Sequence, residues 1–178
     1  TKAGAGTLTL TGASTYTGAT LVTGGTMNVN GAAGALSGTS SVSISGGALV
    51  VGVGSGTGVA NRINSSAALT LGGSTGGGSF QIVSSASGPV NSQSFTTFTA
   101  DKGANLLITG GTNPGTLSFT GAGASIYTRS VGSTIRLQGL ATSSALFANA
   151  PTGSSVIGTG SSAILIGAVS GTGTNLAT

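Results

Sequence analysis

Asp101 is the only carboxylate side chain in 178 residues, and the chain has neither histidine nor cysteine. A paired-acid hydrolase, a Ser-His-Asp relay, a thiolate nucleophile and a zinc or iron site all require residues this inventory lacks. Calcium or acid/base chemistry on a β-helix scaffold needs several acids, and the glycine-rich calcium nonapeptide needs an Asp in every repeat. The expectation is a non-enzyme with no cofactor and no metal site. Asp101-Lys102-Gly103 follows the apolar stretch Phe95 to Ala100 and reads as a turn with a local ion pair.

The five cations, Lys2, Arg62, Lys102, Arg129 and Arg136, give a net charge of +4 and a pI of about 10.4. They are scattered, so no row of phosphates is matched and no nucleic-acid partner is expected. The Gly-x-Gly strings at Gly52 to Gly56 and Gly171 to Gly173 lack the basic helix of a phosphate cradle and read as turns. Thr7, Thr9 and Thr11 put three hydroxyl-methyl groups on one face, as ice-binding solenoids do. The other strands place Ser, Asn, Gln or Arg outward, so the row reflects the β-propensity of Thr. Asn64-Ser65-Ser66 is a glycosylation acceptor only in a glycosylating secretory system.

These residues must be held by elements of an unusual chain. Charged residues make up 3% of it, against about a quarter in ordinary domains, and 35 glycines stand with 3 prolines. That composition fits neither collagen nor a disulfide scaffold. A mean hydropathy of +0.43 with regular Val, Ile, Leu and Thr argues for folding rather than disorder. Ser, Thr and Gly interrupt every apolar run, so no transmembrane helix and no membrane insertion by this segment are expected.

Strict alternation marks strands at Thr7 to Thr11, Val42 to Ser45, Ala67 to Leu71, Thr116 to Thr120, Thr134 to Leu137 and Ala163 to Ile166, and no helical stripe appears. Ser84 to Ser94, containing Pro89, lacks alternation and reads as a loop or bulged coil. Glycine pairs return after short apolar stretches: Gly24-Gly25, Gly46-Gly47, Gly72-Gly73 and Gly110-Gly111, at spacings of 22, 26 and 38. A loose period of this kind predicts stacked coils with loops of variable length. At an offset of 22, Val22 lies over Ile44, Met27 over Leu49 and Val29 over Val51, a ladder of inward side chains. Repeat-like units fall near 4-31, 40-54, 66-83, 104-128, 133-148 and 156-170 of a single solenoid segment.

A longer repeat pairs Gly6 to Ala13 with Gly115 to Ala122 at an offset of 109, and Tyr16 with Tyr127 after a two-residue insertion. Both tyrosines are expected to pack at a coil corner, with carbohydrate stacking as the alternative. The run Gly6-Thr-Leu-Thr-Leu-Thr-Gly-Ala-Ser-Thr-Tyr-Thr-Gly18, followed by Thr20 to Val22, Gly24-Gly25-Thr26 and Met27 to Gly31, resembles the autotransporter-associated β-strand repeat of secreted bacterial passenger domains. The resemblance is dense over residues 4 to 31. It implies an all-β, right-handed parallel β-helix on the bacterial surface, here of roughly six to eight coils, and it supplies no catalytic residue.

Neither end shows a capping pattern, so the ends are expected to continue into further protein, by covalent repetition or by head-to-tail stacking of copies. The expected function is structural: an extracellular filament, stalk or matrix fibre whose partner is itself, end to end and laterally through a nearly chargeless wall. The alternative is an adhesin passenger binding a surface glycan or protein. Absence of cysteine suits an extracellular material.

Overall fold

Val, Ile, Leu, Phe and Thr in period-2 alternation favour the extended backbone, and the Gly, Ser and Asn between them supply turns. The computed structural model describes residues 1–52, 60–84, 91–111, 115–121, 126–139, 144–147, 156–157, 164–165 and 168–170. Pro89, both Gly-x-Gly strings beyond Gly52, and Ala163 and Ile166 lie outside the described residues. Seventeen strands and no helix are present among those described. The chain is an all-β stack of parallel strands.

Three parallel sheets form the walls. One has seven strands: β1 (Thr7–Leu10), β3 (Gly25–Val29), β5 (Gly47–Val51), β7 (Ser79–Ser84), β10 (Gly103–Gly111), β13 (Ser133–Gly139) and β17 (Ala168–Ser170). The second has β2 (Thr20–Val22), β4 (Ser41–Ile44), β6 (Ala68–Leu71), β9 (Phe98–Ala100) and β12 (Tyr127–Arg129). The third has β8 (Asn91–Phe95), β11 (Gly115–Phe119) and β14 (Ser144–Phe147). At about 4.8 Å per strand the longest sheet extends about 29 Å from first to last. Among the described strands, only β15 (Val156–Ile157) and β16 (Ile164–Leu165) pair antiparallel.

Because register is kept from coil to coil, inward side chains stack in columns. In the seven-stranded sheet Leu8, Met27, Leu49, Phe80, Leu107 and Leu137 form one column. In the five-stranded sheet Val22, Ile44, Leu71 and Ala100 form another, all buried. Residues 22, 44, 71, 100 and 129 are successive rungs, so the coil step lengthens after the first pair.

Lys2 bridges Val22 at one end of that column and Arg129 pairs with Ala100 at the other. Among the described residues, the ladder of this sheet thus runs from Lys2 to Arg129.

Each passage from the five-stranded to the seven-stranded sheet turns a corner containing a positive-φ glycine: Gly4, Gly25, Gly46, Gly72, Gly103 and Gly132. The fourth interior corner is thus Asp101-Lys102-Gly103. Gly110 and Gly111 instead end β10, opposite Val83 and Ser84. Asp101 accepts the Lys102 backbone N–H at 2.8 Å, and no ion pair forms among the described residues. The expected Asp101-Lys102 ion pair is replaced by this local turn bond, which satisfies the carboxylate without immobilising a long side chain.

The 109-residue offset joins segments of different walls, since β1 lies in the seven-stranded sheet and β11 in the three-stranded one. Alternation says that a strand has an inside, not which wall it builds.

Candidate functional site

Tight corners leave backbone carbonyls outside the strand ladders, and side-chain donors satisfy them. Lys2 Nζ donates to the carbonyls of Ala3, Gly4 and Gly24 at 3.0, 2.8 and 2.9 Å. Thr75 Oγ1 donates to Ser45 O, while its backbone N–H reaches Ser45 Oγ. Asn105, a buried polar side chain, accepts Gly78 N–H at 3.0 Å and donates to Asp101 O and Gly103 O at 2.7 and 3.3 Å. Arg129 donates from Nε and Nη2 to Ser133 O at 3.1 and 2.7 Å. These plugs had no signal in the sequence, because Lys, Thr, Asn and Arg share no spacing.

Gln93 solves the same problem on the third wall. Where the early coils have only the isolated bridges Ala13–Ala35 and Leu36–Ile63, the Gln93 amide stands in for a strand. It accepts Ile63 N–H at 2.9 Å and donates to Ile63 O at 3.0 Å, while 1% exposed. Gln93→Leu should therefore cost about 2 kcal/mol, because both Ile63 groups are left buried and unpaired. Urea unfolding monitored by circular dichroism reads this out, and a cost within error of zero would remove the amide from the ladder.

Among the described residues, a candidate surface for a partner is the N-terminal end of the stack. Here a groove of about 240 Å³ is lined by Leu8, Leu10, Tyr16, Thr20, Leu21 and Met27, with Lys2 at its rim. Leu8 is 39% and Tyr16 40% exposed, whereas Leu49 and Phe80 further along the Leu8 column are fully buried. The groove is the coil interior seen end-on.

Tyr16 is fixed there by a hydroxyl chain. Its OH lies 2.7 Å from Thr20 Oγ1, which lies 2.7 Å from Thr39 Oγ1, and Thr39 donates to Gly18 O at 2.9 Å. Thr39 Oγ1 also reaches Ser41 O at 3.1 Å; with its proton on either carbonyl, the chain runs from Tyr16 as donor to Thr20 and from Thr20 to Thr39. Tyr127 sits elsewhere, in β12, its ring stacked 5.6 Å from Phe98. Burial pushes its phenol pKa up, and the Arg129 charge opposes that shift.

The glycine pairs divide by role. Gly25 and Gly47 are partners across β3 and β5, next to Gly24 and Gly46, and Gly72-Gly73 open the third interior corner. Val22 pairs with Ile44 and Met27 with Leu49. No group of three or more Asp, Glu, His or Cys able to hold a metal is found among the described residues.

Residues 1–29, which build this open end and its first two corners, match the passenger-associated-transport-repeat family. No curated protein and no solved structure matches the chain. A repeat of this family implies a secreted or cell-surface passenger protein.

Proposed function

Taking the passenger repeat at residues 1–29 as the premise, we propose that the chain is a structural shaft segment of a bacterial surface protein, extended by end-on stacking of β-solenoid coils. The observation that carries this reading is the in-register column from Leu8 to Leu137, whose first member lies open at the N-terminal end. A further coil placed there would cover Leu8, Leu10 and Tyr16 and pair the free edge of β1, so apolar burial and ladder hydrogen bonds act together. No catalysis, metal or cofactor is assigned to the segment. Its localisation is extracellular, and its partner is a coil of its own kind.

Mass photometry across a concentration series tests the reading. The native chain should form end-to-end oligomers, and Leu8→Lys should shift it to monomer by burying an unpaired charge at the junction. Native protein that stays monomeric at every concentration contradicts self-stacking. An adhesin function is the second reading, favoured by one observation: Tyr16 presents a fixed, half-exposed ring at the groove. Binding of the monomer to a glycan array, lost in Tyr16→Ala, would support it.

A further inference from the structure

Arg62 is 1% exposed, and the one acidic side chain of the sequence, Asp101, turns a different corner. Arg62 Nη1 donates to Gly34 O at 2.6 Å, while Nε and Nη2 are buried without a partner among the described residues. Those two nitrogens share one edge of the planar guanidinium, where their N–H bonds run side by side. Burial lowers the pKa of the group, but an arginine keeps its charge at neutral pH. A buried charge normally needs a counter-charge or a full set of hydrogen bonds.

The backbone on both sides of Arg62 is pinned, so the side chain cannot swing out to water without breaking the wall. Asn61 N–H donates to Ser92 O at 2.8 Å, and Asn61 Oδ1 accepts Ser94 N–H at 2.8 Å. Leu36 N–H donates to Arg62 O at 2.6 Å, and the Gln93 amide holds both main-chain groups of Ile63. Asn61 is also the one non-glycine residue in the left-handed region among the described residues, at φ 52°. Backbone strain of that kind persists where the surroundings impose it, and it clusters at ligand clamps. Here the strained residue immediately precedes the unpaired charge.

We propose that the Nε/Nη2 edge of Arg62 is an anion site, which takes one small monovalent anion of the halide class into the stack as the counter-ion of the guanidinium. Two parallel donors can chelate a single anion, and hydrogen bonds between charged partners are the strong ones. One negative charge balances the one positive, and a small ion suits donors that are closed to solvent. The anion is therefore enclosed as the coils close and released when they open. The filled site ties Gly34 to the Asn61–Ile63 segment on the wall where the early coils have only isolated bridges. Arg62 does not line the N-terminal groove, so the site is independent of end-on stacking.

Two measurements on the full chain decide the matter. Thermal unfolding is followed at constant ionic strength while chloride replaces gluconate, an anion too large for an enclosed site. Chloride should raise Tm saturably, by roughly 5–10 °C at a hundredfold excess over its dissociation constant. Arg136→Met, which removes an exposed cation, should keep that response, and Arg62→Met should lose it. No response in the native chain, or an equal one in Arg62→Met, overturns the proposal. Crystals grown in bromide give a readout that needs no variant: an anomalous peak in contact with both Nε and Nη2 of Arg62 is expected, and its absence from that edge overturns the proposal.

Discussion

Phe119→Ala should lower the unfolding free energy by about 4 kcal/mol, the scale of a fully buried Phe truncated to Ala. The size follows from where the ring sits. Phe80 meets Phe95 edge-on at 5.3 Å, Phe95 stacks on Phe119 at 6.3 Å, Phe119 on Phe98 at 5.3 Å, and Phe98 on Tyr127 at 5.6 Å. Those rings belong to β7, β8, β11, β9 and β12, so the chain of contacts crosses the interior and ties all three walls together. Phe119 is its middle link. Coils contact mainly their neighbours, so losing this link should also uncouple the coils beneath it from those above. Differential scanning calorimetry should then show a lower Tm and a broadened or split transition. A single transition shifted by less than about 1 kcal/mol would mean that the ring cluster does not hold the walls.

Gly72→Ala should cost about 3 kcal/mol or more, the sum of a backbone and a steric penalty. Gly72 has φ 91°, and any Cβ there would lie 2.5 Å from the carbonyl oxygens of both Asp101 and Lys102 and 2.8 Å from Asn105 Oδ1. The left-handed backbone alone costs an L-residue roughly 1–2 kcal/mol. The clash adds to it, because two of the three atoms are backbone and the third is the plug that satisfies the corner. Gly6→Ala is the control: its Cβ meets nothing within 4 Å and its φ is not positive, so the change should lie within about 0.5 kcal/mol. Equal effects of the two substitutions in urea titrations would remove the corner geometry as their cause.

Particular residues explain what the sequence made legible. Val22 aligns with Ile44 and Met27 with Leu49 because the first two coils are of equal length, so a constant 22-residue offset coincides with the β2–β4 and β3–β5 pairings. All-β stacking is legible for the same reason: period-2 alternation broken by glycine has few other ways to bury one face. From the third coil onward the step grows, as Gly73 to Gly78 widen a corner and β8 adds a regular third wall. Offset matching then fails. Gly110-Gly111 looks like a corner pair in sequence, yet it ends a nine-residue strand, while Asp101-Lys102-Gly103 turns the corner with one glycine. Tyr16 and Tyr127 match in local sequence and differ in wall and contact.

The polar groups inside were the least legible. Gln93 and Asn105 look like loop residues, since nothing in the sequence marks a side-chain amide as a replacement for main chain. Their partners, Ile63 and Gly78, lie 30 and 27 residues away. Only the stacked coils bring them together. Arg62 read as one more scattered cation, and its burial beside Gly34 depends on Leu36 and Ile63 bridging the third wall.

Cryo-electron microscopy of the purified chain tests the central claim, that this is a stack of coils built to extend along its own axis. The account predicts unbranched rods with an axial spacing of about 4.8 Å, strands crossing the long axis, and lengths that exceed the single chain as copies join end to end. Compact particles without that axial spacing, or fibres whose strands run along the axis, would contradict it.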